Sequence, residues 1–160
     1  MKNNNTKQNT IEIINTLKEK NQTITFAESC TGGRIASAFT AISGASSVLN
    51  GSVISYANEI KSQWLEVKEE TLITYGAVSK ECVEEMLKGI IKLASADCAI
   101  AVSGIAGPTG GTDMKPVGTV YVGIQIKGNI VVEHSLFKGD REAVQEQAKD
   151  TAIALFKKNL

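Results

Sequence analysis

Metal chemistry, disulfide scaffolds and nucleic-acid binding all draw on residues that this sequence has in short supply. It has one histidine, His134, and three cysteines, Cys30, Cys82 and Cys98, placed singly along 160 residues. An odd, widely spaced set of thiols forms neither a disulfide framework nor a CxxC ligand pair, so a reducing compartment is expected, and the cytoplasm is the simplest. Zinc or iron would need several ligands close together, and no local cluster supplies them; no metal and no cofactor are expected. Charge of one sign is also missing, since 17 basic residues balance 17 acidic ones, and aromatics make up only 5%. Non-specific nucleic-acid binding needs a concentrated basic field, so nucleic acid is not an expected partner. No apolar run approaches the ~20 residues of a spanning helix, so no membrane is expected either. Residues 1–10 are polar and asparagine-rich, unlike a secretory signal, and are expected as a loose lead-in to a single domain over 11–160.

What is present is an ordinary globular composition, 42% apolar, whose hydrophobic period switches repeatedly between strand and helix. Ile11, Ile14 and Leu17 share a helical stripe ending near Lys20. Thr23–Glu28, Gly51–Ala57 and Cys98–Val102 read as strands, the last a continuous apolar run suited to a strand covered on both faces. Helices are expected over Arg34–Ile42, over Asn58–Leu65 with Asn58 as cap, and after Ser79, where Val83, Met86, Leu87, Ile90, Ile91 and Ala94 form one face. Gly118–Ile126 and Ile130–Phe137 read as two more strands joined by a hairpin at Gly128-Asn129. Asp140 caps a last helix with the stripe Val144, Ala148, Thr151, Ala152, Leu155 and Phe156. Helical crossovers between the first three strands imply parallel pairing, and the hairpin turns the fourth or fifth strand against the rest. The predicted fold is α/β: a three-layer α/β/α sandwich around a five-stranded mixed, mostly parallel sheet. Ligands of such sheets collect beyond the carboxyl ends of the parallel strands.

The unusual segments fall at those ends. Glu28-Ser29-Cys30-Thr31-Gly32-Gly33 joins a strand to a helix. Its glycines admit close backbone approach, and the helix start offers unpaired N–H groups that could hold an oxyanion beside a serine. The GxSxG wording of a nucleophile elbow is absent, and small polar residues before a helix are ordinarily a cap. Ser55-Tyr56-Ala57-Asn58-Glu59-Ile60-Lys61 is again a strand end entering a helix. A lysine there becomes a general base only if burial lowers its pKa by roughly three units from ~10.4; otherwise it is a solvated side chain. The loop 103–115 is too long for a simple connection. Its Ser103, Gly104, Gly107, Thr109 and Gly110 suit phosphate or a planar ring, though the GK[ST] ending of a P-loop is missing. Gly139-Asp140-Arg141 opens the last helix, where Arg141 can clamp a phosphate or simply sit in solvent. Cys30 neighbours Ser29 but has no histidine near in sequence to activate it, Cys82 and Cys98 read as core, and His134 as structural or solvent-facing.

Each segment is weak alone; their order and wording together are specific. AESCTGG (Ala27–Gly33), SYANEIK (Ser55–Lys61), YGAVS (Tyr75–Ser79), SGIAGPTGG (Ser103–Gly111), KPVGTVY (Lys115–Tyr121) and GDR (Gly139–Arg141) closely resemble the CinA C-terminal domain family, from about Ile11 to Phe156. The resemblance implies metal-free hydrolysis of the carboxamide of nicotinamide mononucleotide to nicotinate mononucleotide and ammonia. It implies Ser29 as nucleophile, supported by Tyr56 and Lys61, and a homodimer. Larger members carry a further N-terminal domain, so the chain is expected as the stand-alone form. Lys61, neutral, would take the Ser29 proton directly or through Tyr56. Backbone N–H groups of Cys30, Thr31, Gly32 and Gly33 or of the 103–107 segment would hold the oxyanion, with Arg141 and the glycine loops on the phosphate. Two rivals stand beside this: a non-catalytic nucleotide- or partner-binding module linked to competence or DNA-damage responses, and an amidase for another small amide.

Overall fold

Alternation along one strand organises the molecule. The computed structural model describes residues 2–160. Within β3 (Cys98–Gly104), Cys98, Ile100 and Val102 face one apolar core while Ala99 and Ala101 face another. Both faces are buried against apolar side chains, so the strand has no polar side before its end. The first core takes α1 (Lys2–Glu19), α2 (Arg34–Thr40) and α6 (Arg141–Asn159); the second takes α3 (Asn58–Leu65), α4 (Glu69–Thr74) and α5 (Lys80–Ala94). With β1 (Ile24–Glu28), β2 (Leu49–Ile54), β4 (Thr119–Ile126) and β5 (Asn129–Leu136), β3 completes a five-stranded sheet ordered β2-β1-β3-β4-β5. β1 pairs in parallel with β2 and β3, and β4 pairs antiparallel with β3 and β5, so only β4 runs against the others. This is the expected α/β/α sandwich.

Small residues set the spacing of the second layer. A Cβ at Gly123 of β4 would lie 2.4 Å from Val83 Cγ1, and one at Gly89, inside α5, would lie 1.8 Å from the Leu65 carbonyl oxygen. The end of α3 therefore rests on the backbone of α5. Alanine normally favours a helix over glycine by about 1 kcal/mol, but here the clash with fixed backbone dominates, since overpacking costs about 1–3 kcal/mol. Gly89→Ala is expected to lower the urea midpoint. An unchanged or raised midpoint would contradict the close packing of α3 on α5.

Four local expectations are corrected. The lead-in is helical: α1 begins at Lys2, well before the apolar stripe, and only Met1 of that segment lies outside the described residues. Its early turns bury threonines instead of aliphatics. Thr6 Oγ1 donates to Asp150 Oδ1 at 2.8 Å and the fully buried Thr10 Oγ1 donates to the Thr6 carbonyl at 2.8 Å, so hydroxyls satisfied inside the protein do the work an apolar pattern would have announced. The hairpin turns at Lys127-Gly128, one residue earlier than expected, with φ of 51° and 80°. A two-residue primed turn needs positive φ at both centres, and the lysine adopts it. Asn58 is the first residue of α3 and not its cap; Ala57 stands there without a side-chain bond. Ser79 and Asp140 do cap, accepting from the backbone N–H of Cys82 at 3.1 Å and of Ala143 at 2.9 Å. Strand β2 also stops at Ile54, so Tyr56 and Ala57 lie beyond the sheet.

Candidate active site

Parallel register places the two chemically unusual turns side by side. Glu28 pairs with Ile54 at the ends of β1 and β2, so the chain leaves both strands at the same level, with Ser29 next to Ser55. The backbone N–H of Ser55 donates to the Glu28 carbonyl at 2.8 Å and fixes that level. One turn into α3, Lys61 reaches back into the gap. Its Nζ lies 3.1 Å from Ser29 Oγ and donates to the carbonyls of Ser55 at 2.6 Å and Tyr56 at 3.2 Å. Lys61 is 1% exposed and Ser29 7%.

Burial of Lys61 lowers its pKa below the ordinary 10.5, because an ammonium loses hydration there. Nearby thiols would oppose this only as thiolates, and burial pushes Cys30 up to about 12 and Cys82 up to about 11. Both stay neutral at physiological pH. No carboxylate forms an ion pair with Lys61 among the described residues. A neutral amine has two N–H bonds and one lone pair; two carbonyls take the N–H groups and the remaining direction faces Ser29 Oγ. Cys30, with its raised pKa, is a poor rival nucleophile.

The turn after Ser29 differs from what its glycines suggest. The start of α2 does not offer free donors. Glu28, fully buried, accepts at Oε1 from Gly33 N–H at 3.2 Å and Ile35 N–H at 3.0 Å, and at Oε2 from Ala36 N–H at 2.9 Å. A carboxylate one residue before Ser29 thus occupies the helix N-terminus that sequence reasoning left open for a ligand. Gly32 and Gly33, with φ of 60° and 97°, serve the turn geometry.

A cleft of about 180 Å³ opens over this pair, lined by Ser29, Cys30, Tyr56, Lys61, Ser103, Gly104 and Arg141 of the expected residues. Thr31, Gly32, Gly33, Gly107, Thr109 and Gly110 are not on its wall. Thr31 is fully buried, and its hydroxyl has no partner among the described residues. Gly107 takes part indirectly: Arg141 donates from Nη1 to the Gly107 carbonyl at 2.8 Å and from Nη2 to the Tyr56 hydroxyl at 2.8 Å. The Tyr56 ring is therefore turned out, 58% exposed, and it serves Lys61 by its backbone carbonyl. Ser103 Oγ donates to the Ala77 carbonyl at 2.8 Å and holds the Ala77-Val78 segment that forms another wall. Sequence reasoning missed Asn58, Ala77, Val78 and Ala106 on the wall, and Glu28 beneath it. His134 is exposed on β5, stacked on Tyr121 at 4.7 Å between ring centres, while Cys82 and Cys98 lie in the cores as expected. A larger depression of about 450 Å³ between α3 and α4 is lined by residues such as Ser62, Gln63 and Ile73.

Comparison with known proteins gives one consistent picture. The model of the CinA C-terminal domain matches residues 6–160. The chain is 47% identical over 154 residues to the nicotinamide-nucleotide amidohydrolase PncC of Enterobacter agglomerans, covering 93% of this chain and 94% of that protein. It is 45% identical to a CinA-like protein of Thermotoga neapolitana, but spans only 36% of it; against the longer curated relatives it covers about a third of the length. Among solved structures, the competence damage-inducible protein A of Klebsiella pneumoniae superposes with a TM-score of 0.92 at 40% identity, over 96% of this chain and 95% of that one. A CinA superfamily protein of Escherichia coli gives 0.93 at 34% identity, over 97% and 90%.

Proposed function

This chain belongs to the CinA C-terminal domain family, and from that premise we propose that it is an amidohydrolase that converts nicotinamide mononucleotide to nicotinate mononucleotide and ammonia, without a metal, through a Ser29–Lys61 pair. The observation that carries the mechanism is the 3.1 Å approach of a buried, acid-free Lys61 Nζ to Ser29 Oγ. Neutral Lys61 takes the Ser29 proton as Oγ bonds to the carboxamide carbon. The carbonyl π pair moves to oxygen and returns as the C–N bond breaks, and the ammonium of Lys61 gives its proton to the leaving nitrogen. Water then adds to the acyl-serine with Lys61 again as base. The acid departs, and the proton goes back to Ser29. The direct contact leaves no step that requires the Tyr56 hydroxyl, which is held by Arg141. The PncC likeness supports the nucleotide as substrate. The cytoplasm, where the three free thiols stay reduced, is the proposed compartment, and a homodimer is the proposed assembly on the family resemblance.

Arg141 is the proposed phosphate ligand. Two of its N–H groups are used by Gly107 and Tyr56, and the rest remain at the cleft edge beside the start of α6, where positive dipole and charge coincide. A charge-assisted bond of this kind contributes about 1.5–3 kcal/mol, roughly 10- to 100-fold. Arg141→Ala is thus expected to lower kcat/KM for nicotinamide mononucleotide by that factor and to leave the slow cleavage of free nicotinamide nearly unchanged. An equal loss on both compounds would remove the phosphate role. Equal wild-type rates on both would overturn the nucleotide as substrate, in favour of another small amide.

A further inference from the structure

Two separate sets of bonds meet at Glu28. Its main-chain carbonyl accepts from Ser55, from the N–H at 2.8 Å and from the hydroxyl at 3.3 Å. The Ser55 carbonyl in turn accepts from Lys61 Nζ at 2.6 Å. The Glu28 carboxylate accepts from the backbone N–H groups of Gly33, Ile35 and Ala36, at 3.2, 3.0 and 2.9 Å. One residue is therefore bonded both to the turn that leads to the base and to the helix start that closes the Ser29 turn. Glu28 is fully buried and forms no ion pair among the described residues. Its charge rests on main-chain donors at the positive end of a helix.

The turn between them needs such an anchor. Gly32 and Gly33 stand at φ of 60° and 97°, and glycine has the widest choice of backbone conformations of any residue. Inside the turn, Gly32 donates to the Ser29 carbonyl at 3.0 Å and Arg34 to the Thr31 carbonyl at 3.1 Å. Those bonds shape the turn but do not tie it to the strand. The carboxylate does: Glu28 is the last residue of β1, so its three bonds fix where α2 begins relative to the strand end, with Ser29 the first residue of the span between. Three N–H groups converging on two oxygens suit a group that only accepts. On the reading that Ser29 is an acylated nucleophile, we infer that Glu28 is a positioning residue that holds Ser29 Oγ at its 3.1 Å distance from Lys61 Nζ. It touches no substrate, since it lies beneath the cleft and not on its wall. A nucleophile misplaced by about 1 Å loses about 100-fold in rate.

Glu28→Gln keeps the shape but turns an amide NH2 towards one or two of the three donors; Glu28→Asp keeps the charge on a shorter stem. Each is expected to lower kcat on nicotinamide mononucleotide by about 10- to 100-fold. KM should change little, because Tyr56, Asn58, Ser103 and Arg141 of the wall lie outside this turn. The ascending limb of the pH profile should stay at its wild-type position, because Lys61 keeps the Ser55 and Tyr56 carbonyls. A merely structural cap would lower the melting temperature and leave kcat, measured well below melting, where it was. That result would overturn the assignment, as would a raised KM at unchanged kcat, a displaced pH limb, or failure of both variants to fold. If only one variant folds, it decides by the same criteria. The substrate reading can fail separately. If wild type does not cleave nicotinamide mononucleotide, the rate of Ser29-dependent release of p-nitrophenolate from p-nitrophenyl acetate, taken against Ser29→Ala, decides instead. Slower release in the folded Glu28 variants supports the positioning role. Equal release, or no Ser29-dependent release from wild type, overturns it.

Discussion

Ser29→Ala is expected to lower turnover of nicotinamide mononucleotide by about a thousand-fold or more, as loss of a nucleophile does elsewhere. The substrate should still bind with nearly wild-type affinity, because the hydroxyl is one small group on a wall otherwise made by Tyr56, Asn58, Ser103, Gly104 and Arg141. Stability should change by only about 1 kcal/mol, the worth of one hydrogen bond, since Lys61 keeps the Ser55 and Tyr56 carbonyls. Calorimetric titration and melting curves on the same preparation check both points. Cys30 cannot rescue the variant, because burial keeps its thiol protonated with a pKa pushed up to about 12.

The second large effect concerns Lys61. Lys61→Arg should be nearly inactive, because a guanidinium stays protonated at every accessible pH and cannot accept the serine proton. Lys61→Met should be inactive as well, and the two together separate proton transfer from charge. In the wild type, kcat/KM should rise with pH through the lowered pKa of Lys61 and reach its plateau below the ordinary 10.5. Stability should follow with a definite sign. Burial lowers the folded-state value, so the unfolded chain binds more protons between that value and 10.5, and the wild type gains stability as pH rises through this window. Below the window the full cost of burying the cation is present. The difference in unfolding free energy between wild type and Lys61→Met should therefore shift in favour of wild type as pH rises. A flat difference, or an ascending limb centred at 10.5, would mean that Lys61 is not a desolvated base.

Much of the architecture is legible in period and punctuation. The run Cys98–Val102 announces a strand covered on both faces, and Val83, Met86, Leu87 and Ile90 announce the face of α5 that lies on it. Less legible is whatever depends on polar groups satisfying one another. Thr6 and Thr10 carry no apolar signal yet bury the first turns of α1. Glu28 looks like the last residue of a strand, and nothing local shows that it caps α2 from seven or eight residues away. The glycines Gly107 and Gly110 look like a phosphate cradle in sequence, but they are not on the wall of the cleft; only the Gly107 carbonyl takes part, through Arg141. Ser29 and Lys61 stand out because their segments carry family wording. Their 3.1 Å contact arises from the Glu28–Ile54 register, which one sequence does not display. Tyr56 illustrates the limit: its position near the pair is legible, but which of its atoms faces Lys61 is decided by Arg141, far along the chain.

The most direct test of the Ser29–Lys61 account is ammonia release from nicotinamide mononucleotide by chelator-treated protein, run beside Ser29→Ala. The account predicts steady release by the wild type and none above background by the variant. Release that stops on chelation, or that persists in Ser29→Ala, would contradict it.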